Sequence, residues 1–327
     1  MEVIRTEELT KTYMTRVKQQ GLRASVRALG KPEYRTVEAV RGVSFSVKQG
    51  ERLAFIGPNG AGKSTTIKML TGILTPTSGS CRVLGLDPNA QRRALSRRIG
   101  TVFGQKSQLW FHLPPSDSFE LLGAIYDIPK PDLKQRIGEL VDRFSLGGIM
   151  DVPVRKLSLG QRIRCEAAAS LLHEPEILFL DEPTIGLDVV VKRQIRELIM
   201  QMNREKGVTI FLTSHDSTDI ERLCQRAIVI GGGRIATDAG VDDLRRRYFS
   251  EKVISVKFAS DPVLENLPGL TVEKHKDGGY KLRADTSRIE MDDVMRAITQ
   301  AGTITDMTVE DPPMEQVIAD IFGGVAK

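Results

Sequence analysis

The sequence predicts an α/β protein, a largely parallel sheet with ligand-binding strand ends, followed by a small α+β domain. Three observations carry that expectation. The apolar run Leu53 to Ile56 leads directly into GPNGAGKST at 57 to 65. A second apolar run, Ile177 to Leu180, ends in the adjacent acids Asp181 and Glu182. Beyond about residue 248, short alternating segments replace these continuous apolar strands, which are the mark of a sheet buried on both faces.

In the first segment Gly57 and Gly60 leave room for backbone amides to face an anion, and a helix is expected to open near Gly62. Successive amides and the positive helix end suit a phosphate chain. Asn59 lies on the same loop, Lys63 reaches terminal phosphates, the Ser64 hydroxyl can ligate Mg²⁺, and Thr65 adds a contact further back. The alternative, a merely flexible glycine turn, leaves the second segment unexplained. There Asp181 stands at the edge where parallel sheets bind ligands and would hold the metal, directly or through water. Glu182, one residue on and turned the other way, is placed to orient or deprotonate an attacking water.

The order of these pieces, with LSLGQ at 157 to 161 between them, resembles the ATP-binding cassette family over about residues 1 to 240. The resemblance implies a P-loop NTPase core of the ABC ATPase type with a helical subdomain at about 105–172, and an activity of ATP hydrolysis with ATP and Mg²⁺ as cofactors. It implies that Gln105, in TVFGQKSQLW, is the Q-loop glutamine that touches metal and water. Asp188, in GLD, matches the D-loop; His215, in FLTSHD after the strand Val208 to Leu212, matches the switch histidine at the terminal phosphate. Tyr13, in LTKTYM, is the candidate aromatic for adenine stacking, with plain packing as the alternative. Ser158, Gly160 and Gln161 match the signature, which in the family completes the nucleotide site of the opposite subunit; the helix from about Gln161 to His173 aims its positive end there. Leu159 replaces the usual glycine, with a tighter dimer contact or altered turnover as possible consequences.

Composition sets limits on the rest. The scattered cysteines Cys81, Cys165 and Cys224 indicate neither a disulfide framework nor a metal site. No apolar run approaches the roughly 18 residues of a spanning helix, so neither signal peptide nor membrane anchor is expected, and any membrane role goes through a partner. The net charge of +5 is concentrated between Met14 and Gly42, where Arg16, Lys18, Arg23, Arg27, Lys31, Arg35 and Arg41 outnumber Glu33 and Glu38 by five. Leu22, Val26 and Leu29 repeat there at helical spacing, so insert 14–42 reads as a short basic amphipathic helix between the Tyr13 strand and the strand Ser44 to Val47. It either folds onto its own domain or lies at the membrane interface beside a transport partner, its cations near anionic headgroups.

After Gln105 come Trp110, Phe111, Pro114, Pro115, Phe119 and Tyr126; Trp110 is a candidate wall of the groove that in the family receives a permease, or a packing residue. An amphipathic helix is expected over 131 to 150. The expected domains are an ATPase at 1–248 and an accessory, dimerising domain at 249–327. In the latter, strands at Val253 to Phe258, Leu270 to Glu273, Tyr280 to Arg283 and Thr303 to Val309 surround a helix at Ile289 to Thr299, with a last helix after Pro312 and Pro313. The ending DPPMEQVIADIFGG resembles drug-resistance-type cassettes of the ABC-2 exporter class. The resemblance therefore implies a homodimer, or a pair with a related ATPase, at the cytoplasmic face of the cell membrane. Its partner is an ABC-2-type permease and its cargo is hydrophobic, lipid-linked or amphiphilic, with no nucleic acid involved. The rival readings, a ribosome-associated cassette or a chromosome-maintenance ATPase, call for two sites in one chain or for a long coiled coil, and sustained heptads are absent here.

Overall fold

The computed structural model describes residues 1–16, 34–103, 107–214, 216–248, 251–263, 267–274 and 279–310. The chain divides into two compact units, Met1–Asp238 and Ala239–Lys327. The division thus falls before the helix Val241–Tyr248, whose Val241 and Leu244 are buried, and not after it at 248/249.

The first unit opens on β1 (Glu2–Arg16) and β2 (Tyr34–Lys48), which pair antiparallel, and continues with β3 (Arg52–Ile56), α1 (Lys63–Leu70) and β4 (Ser78–Val83). The flanks of the expected insert are strand: Tyr13 opposes Val37, Met14 opposes Thr36 and Arg16 opposes Tyr34. β2 therefore begins well before the expected Ser44, because Thr36, Val37 and Val40 are β-branched and the ladder continues through them. Leu22, Val26 and Leu29, with the helix expected around them, lie outside the described residues.

After α2 (Arg92–Ser96) and β5 (Ile99–Phe103) comes a helical stretch: α3 (Pro115–Ile125), α4 (Lys130–Arg143) and α5 (Leu159–Ala169), with single 3₁₀ turns at Gly147–Ile149 and Val154–Lys156. The helix expected over 131 to 150 stops at Arg143, where Ser145 turns to φ 51°. The helix expected from Gln161 to His173 begins earlier and ends earlier. Ser158 caps it, and at its other end the Ser170 hydroxyl turns back to the Ala167 carbonyl at 2.7 Å.

The remaining elements are β6 (Ile177–Asp181), α6 (Val189–Lys206), β7 (Thr209–Thr213), α7 (Ser217–Leu223), β8 (Arg226–Gly231) and β9 (Arg234–Gly240). Strands run β5-β6-β7-β3-β8-β9 in one sheet and β2-β1-β4 in another. The pairs β5–β6, β6–β7, β7–β3 and β3–β8 are all parallel, and four consecutive positions of both β3 and β6 are buried. Phenylalanines join the sheets: Phe45 of β2 lies 5.7 Å from Phe55 and 6.1 Å from Phe211, and Phe211 lies 5.5 Å from Phe179, centroid to centroid. The consequence for the site is one of register. Asp181 pairs with Thr213 and Leu212 sits beside both Leu180 and Ala54, so the carboxyl ends of β3, β6 and β7 emerge at one sheet edge.

In the second unit, after α8 (Val241–Tyr248), strands β10 (Glu251–Phe258), β11 (Leu270–Lys274), β12 (Tyr280–Asp285) and β13 (Ile304–Glu310) form an antiparallel sheet ordered β11-β12-β10-β13. α9 (Met291–Ala301) buries Val294 and Ile298 in a small core with Ile254, Val256, Leu282 and Ala284. The helix expected after Pro312 lies outside the described residues.

Candidate functional site

The loop that follows β3 is shaped around missing side chains. A Cβ on Gly57 would lie 2.1 Å from the Ile230 carbonyl oxygen, and one on Gly62 would lie 2.4 Å from that of Ala39. Gly60 and Gly62 hold φ at 81° and 108°, where side chains are strained. Gly62 is the N-cap of α1 and carries no side-chain cap, so the first amides of that helix face outward without a protein acceptor from the cap residue. Lys63 is 6% exposed and its Nζ donates to the carbonyls of Gly57 at 2.6 Å and Pro58 at 3.2 Å. Burial lowers the Lys63 pKa, while the charges of Glu182 and Asp181 work against that shift. Both acids therefore act on the lysine electrostatically. Asn59 is exposed and Thr65 half-buried on the same turn.

At the neighbouring strand end Asp181 Oδ1 accepts from the Thr213 hydroxyl at 2.6 Å and from the Ser64 hydroxyl at 3.3 Å. Thus the loop serine and the strand-end acid, 117 positions apart in sequence, meet as the motif order implied. Glu182 sits at φ 54°, a left-handed conformation that costs a non-glycine residue about 1–2 kcal/mol. Its amide donates to the Thr213 carbonyl at 3.0 Å and hydroxyl at 3.2 Å, which holds the turn in place. Thr213 was not singled out from the sequence. Its signal is the pairing itself, because parallel strands of similar length bring their last residues side by side.

Ser158 and Gln161 form a capping box: Ser158 Oγ accepts from the Gln161 amide at 3.2 Å, and the Gln161 side chain accepts from the Ser158 amide at 2.9 Å. Ser158 is exposed and its hydroxyl hydrogen is left to donate elsewhere. Gly160 packs beside α6, where a Cβ would approach Val191 to 3.2 Å, and Asp188 caps α6 by accepting from the Val191 amide at 3.0 Å. Leu159 points toward Gly186: a Cβ there would lie 3.1 Å from Leu159 Cδ2. The leucine that replaces the usual glycine therefore packs against the loop that carries Asp188, within one chain.

A buried polar hub lies behind these loops. Asp219, with no exposed side-chain surface, accepts from Arg196 Nε at 2.5 Å, from the Ser214 hydroxyl at 2.9 Å and from the Thr184 hydroxyl. Asp216 accepts from Lys192 at 2.7 Å and Arg196 at 3.3 Å and caps α7 through the Thr218 amide. The hub joins Thr184, after Glu182, to Ser214 and Asp216, which flank position 215. Gln105 and His215 themselves lie outside the described residues. Tyr13 is half-buried in β1, with Lys11 Nζ 5.5 Å from its ring centroid.

The family model described as "ABC transporter" matches residues 40–185. The ATP-binding protein NatA of Bacillus subtilis is 34% identical over 67% of this chain and 87% of its own length. The bacitracin transport ATP-binding protein BcrA of Bacillus licheniformis is 30% identical over 89% of this chain and 94% of its own. Among solved structures, the dimer of an ATP-binding cassette in a post-hydrolysis state, bound to ADP and Pi, superposes with a TM-score of 0.60, 25% identity and coverage of 73% of this chain and 98% of that one. This chain belongs to the ABC transporter ATP-binding family. It is an ATPase, an ATP-binding transporter subunit with a P-loop core, extended by the α+β unit.

Proposed function

We propose that two copies of this ATPase clamp head to tail around two ATP molecules, each site completed by Ser158 and Gly160 of the other copy, and that this clamping drives an ABC-2-type export permease. The observation that carries the proposal is the exposed N-cap of α5: Ser158 has a donor to spare, and it sits among exposed apolar side chains, Leu159 at 38%, Val190 at 66% and Val189 at 80%. Such a surface suits a second protein copy. The dimeric solved cassette supports pairing, and the bacitracin transport named for BcrA supports a transport role; that the cargo is exported and is hydrophobic, lipid-linked or amphiphilic follows the family resemblance.

Bound ATP and Mg²⁺ supply the transferable phosphoryl group and the neutralising charge. The glycine-shaped cradle fits a phosphate chain, and Ser64 and Asp181 offer hard oxygen donors at the same spot. Ser64 and Asp181, together with Gln105, would hold Mg²⁺ beside the nucleotide. Lys63 exchanges its carbonyl partners for phosphate oxygens, and Glu182 orients or deprotonates water. Gln105 and His215 keep their family roles at the metal and terminal phosphate, and Tyr13 stacks on adenine.

No helix among the described residues is long and apolar enough to cross a membrane. In this reading attachment at the cytoplasmic face runs through the permease, and the basic charge of insert 14–42 favours contact with anionic headgroups. Trp110, 40% exposed, and Phe111, 51% exposed, offer the docking face. The test is affinity isolation from detergent-solubilised membranes. A multispanning protein should co-purify in fixed ratio; recovery with ribosomes or DNA and without such a protein would refute the assignment.

A further inference from the structure

Glu166 is an odd residue for its place. It lies on α5, 6% exposed, at a position where alanine would form helix better and incur no desolvation. Its carboxylate is spent on one short segment: it accepts from the Ser107 hydroxyl and, at 3.1 Å, from the Gln108 amide. The Gln108 side chain returns to the Glu166 carbonyl at 3.0 Å, and the Leu109 amide donates to the Ser107 hydroxyl at 3.1 Å. Burial pushes the Glu166 carboxyl up, while these donors and the charge of Arg162 pull it back. A helix does not need any of this to form.

The same segment is tied a second time, closer to Ser158. The Phe111 carbonyl accepts from the Arg155 amide at 3.0 Å and the Leu113 carbonyl from the Val154 amide at 3.0 Å. Residues 107 to 113 are thus fastened at one end to the body of α5 and at the other to the turn that leads into its cap. Leu109 is buried within this span while Trp110 and Phe111 face outward. Displacement of the Ser158 end is therefore passed to the surface formed by Trp110 and Phe111 through two attachments, of which the Glu166 one sets residues 107–109.

We propose that Glu166 is a positioning residue that ties residues 107–109 to the helix capped by Ser158, so that nucleotide-driven pairing of two copies moves the Trp110–Phe111 surface offered to the membrane partner. The inference rests on the pairing proposed above. Trp110 is the chain's only tryptophan, so its emission reports this surface directly. The test uses the full chain with Glu182→Gln, to hold ATP unhydrolysed. Adding ATP should shift Trp110 emission, and Glu166→Ala should cut the shift well below the parent's, the Phe111 and Leu113 bonds to Arg155 and Val154 remaining, while fluorescent-nucleotide affinity and ATP-driven dimerisation persist. Glu166→Gln, which keeps one acceptor oxygen, should retain part of the shift. Ser107→Ala, which leaves the helix untouched, should weaken it even if Glu166→Ala folds poorly. A full shift in both Glu166→Ala and Ser107→Ala, or none in the Glu166 parent despite ATP-driven dimers, would overturn the inference. Failure of the parent to dimerise with ATP on size exclusion would overturn the pairing itself, and this inference with it.

Discussion

Glu182→Gln is expected to lower ATP turnover by about 10²–10⁴-fold, the usual contribution of a general base, which is the role proposed for Glu182, and to retain ATP affinity. The geometry separates the two effects. Lys63, Ser64 and Asp181, which hold phosphate and metal in the proposed site, keep their hydrogen bonds because none of them depends on the Glu182 side chain. The Glu182 backbone stays where Thr213 fixes it, 3.0 Å from amide to carbonyl, and glutamine has the same size. What is removed is the carboxylate, with its capacity to take a proton from water and its charge near Lys63, while Asp181 keeps acting on that lysine. Phosphate release should fall, fluorescent-nucleotide binding should not, and the closed dimer should accumulate on size exclusion with ATP. Turnover equal to that of the parent chain would take Glu182 out of the chemistry.

Asp219→Ala is expected to destabilise the first unit by about 3–5 kcal/mol, the cost of stripping one partner from a buried ion pair. Asp219 has no exposed side-chain surface and Arg196 retains only 11%, so neither water nor another acceptor of equal strength takes over at Nε. The Ser214 and Thr184 hydroxyls lose their acceptor in the same step. Urea midpoints should drop markedly in the variant. A change of a few tenths of a kcal/mol would mean that the hub relaxes and carries little stability. A pH dependence accompanies it. Burial works to raise the Asp216 pKa, but Lys192 and Arg196 outweigh it and leave the group below the ordinary carboxylate range. The stability Asp216 adds is present above its unfolded pKa and is lost as pH falls through the folded one.

The parts of the fold that could be read in advance are those where local pattern and tertiary role coincide. Leu53 to Ile56 and Ile177 to Leu180 are apolar without interruption because both faces of their strands are covered, and their ends therefore mark the ligand edge. The glycines of the first loop are legible because Gly57 and Gly62 press against the backbones of Ile230 and Ala39, where no other residue fits. The alternation of the second unit likewise marked its sheet. What stayed hidden depends on contacts distant in sequence. Residues 34 to 41 carry charges on one edge of a two-stranded ribbon, and a charged segment with helical spacing nearby masks the strand. Glu166 looks like any solvated helical acid until the segment at 107 to 109 is laid over it. Leu159 could be recognised as a departure from the family pattern, but its contact with Gly186 needs the fold. Asp219, one acid among several near position 215, becomes distinctive only when Arg196 arrives from the facing helix.

The central claim is that each active centre combines the phosphate loop of one copy with the Ser158 cap of the other, and mixing two inactive variants tests it most directly. Lys63→Ala and Ser158→Arg are each expected to have little ATPase activity alone, since every site in either homodimer carries a lesion. In the mixed dimer one site unites intact Lys63 from one copy with intact Ser158 from the other, so activity should reappear on mixing. A mixture no more active than its components would contradict the account, and so would a strictly monomeric preparation that hydrolyses ATP at full rate.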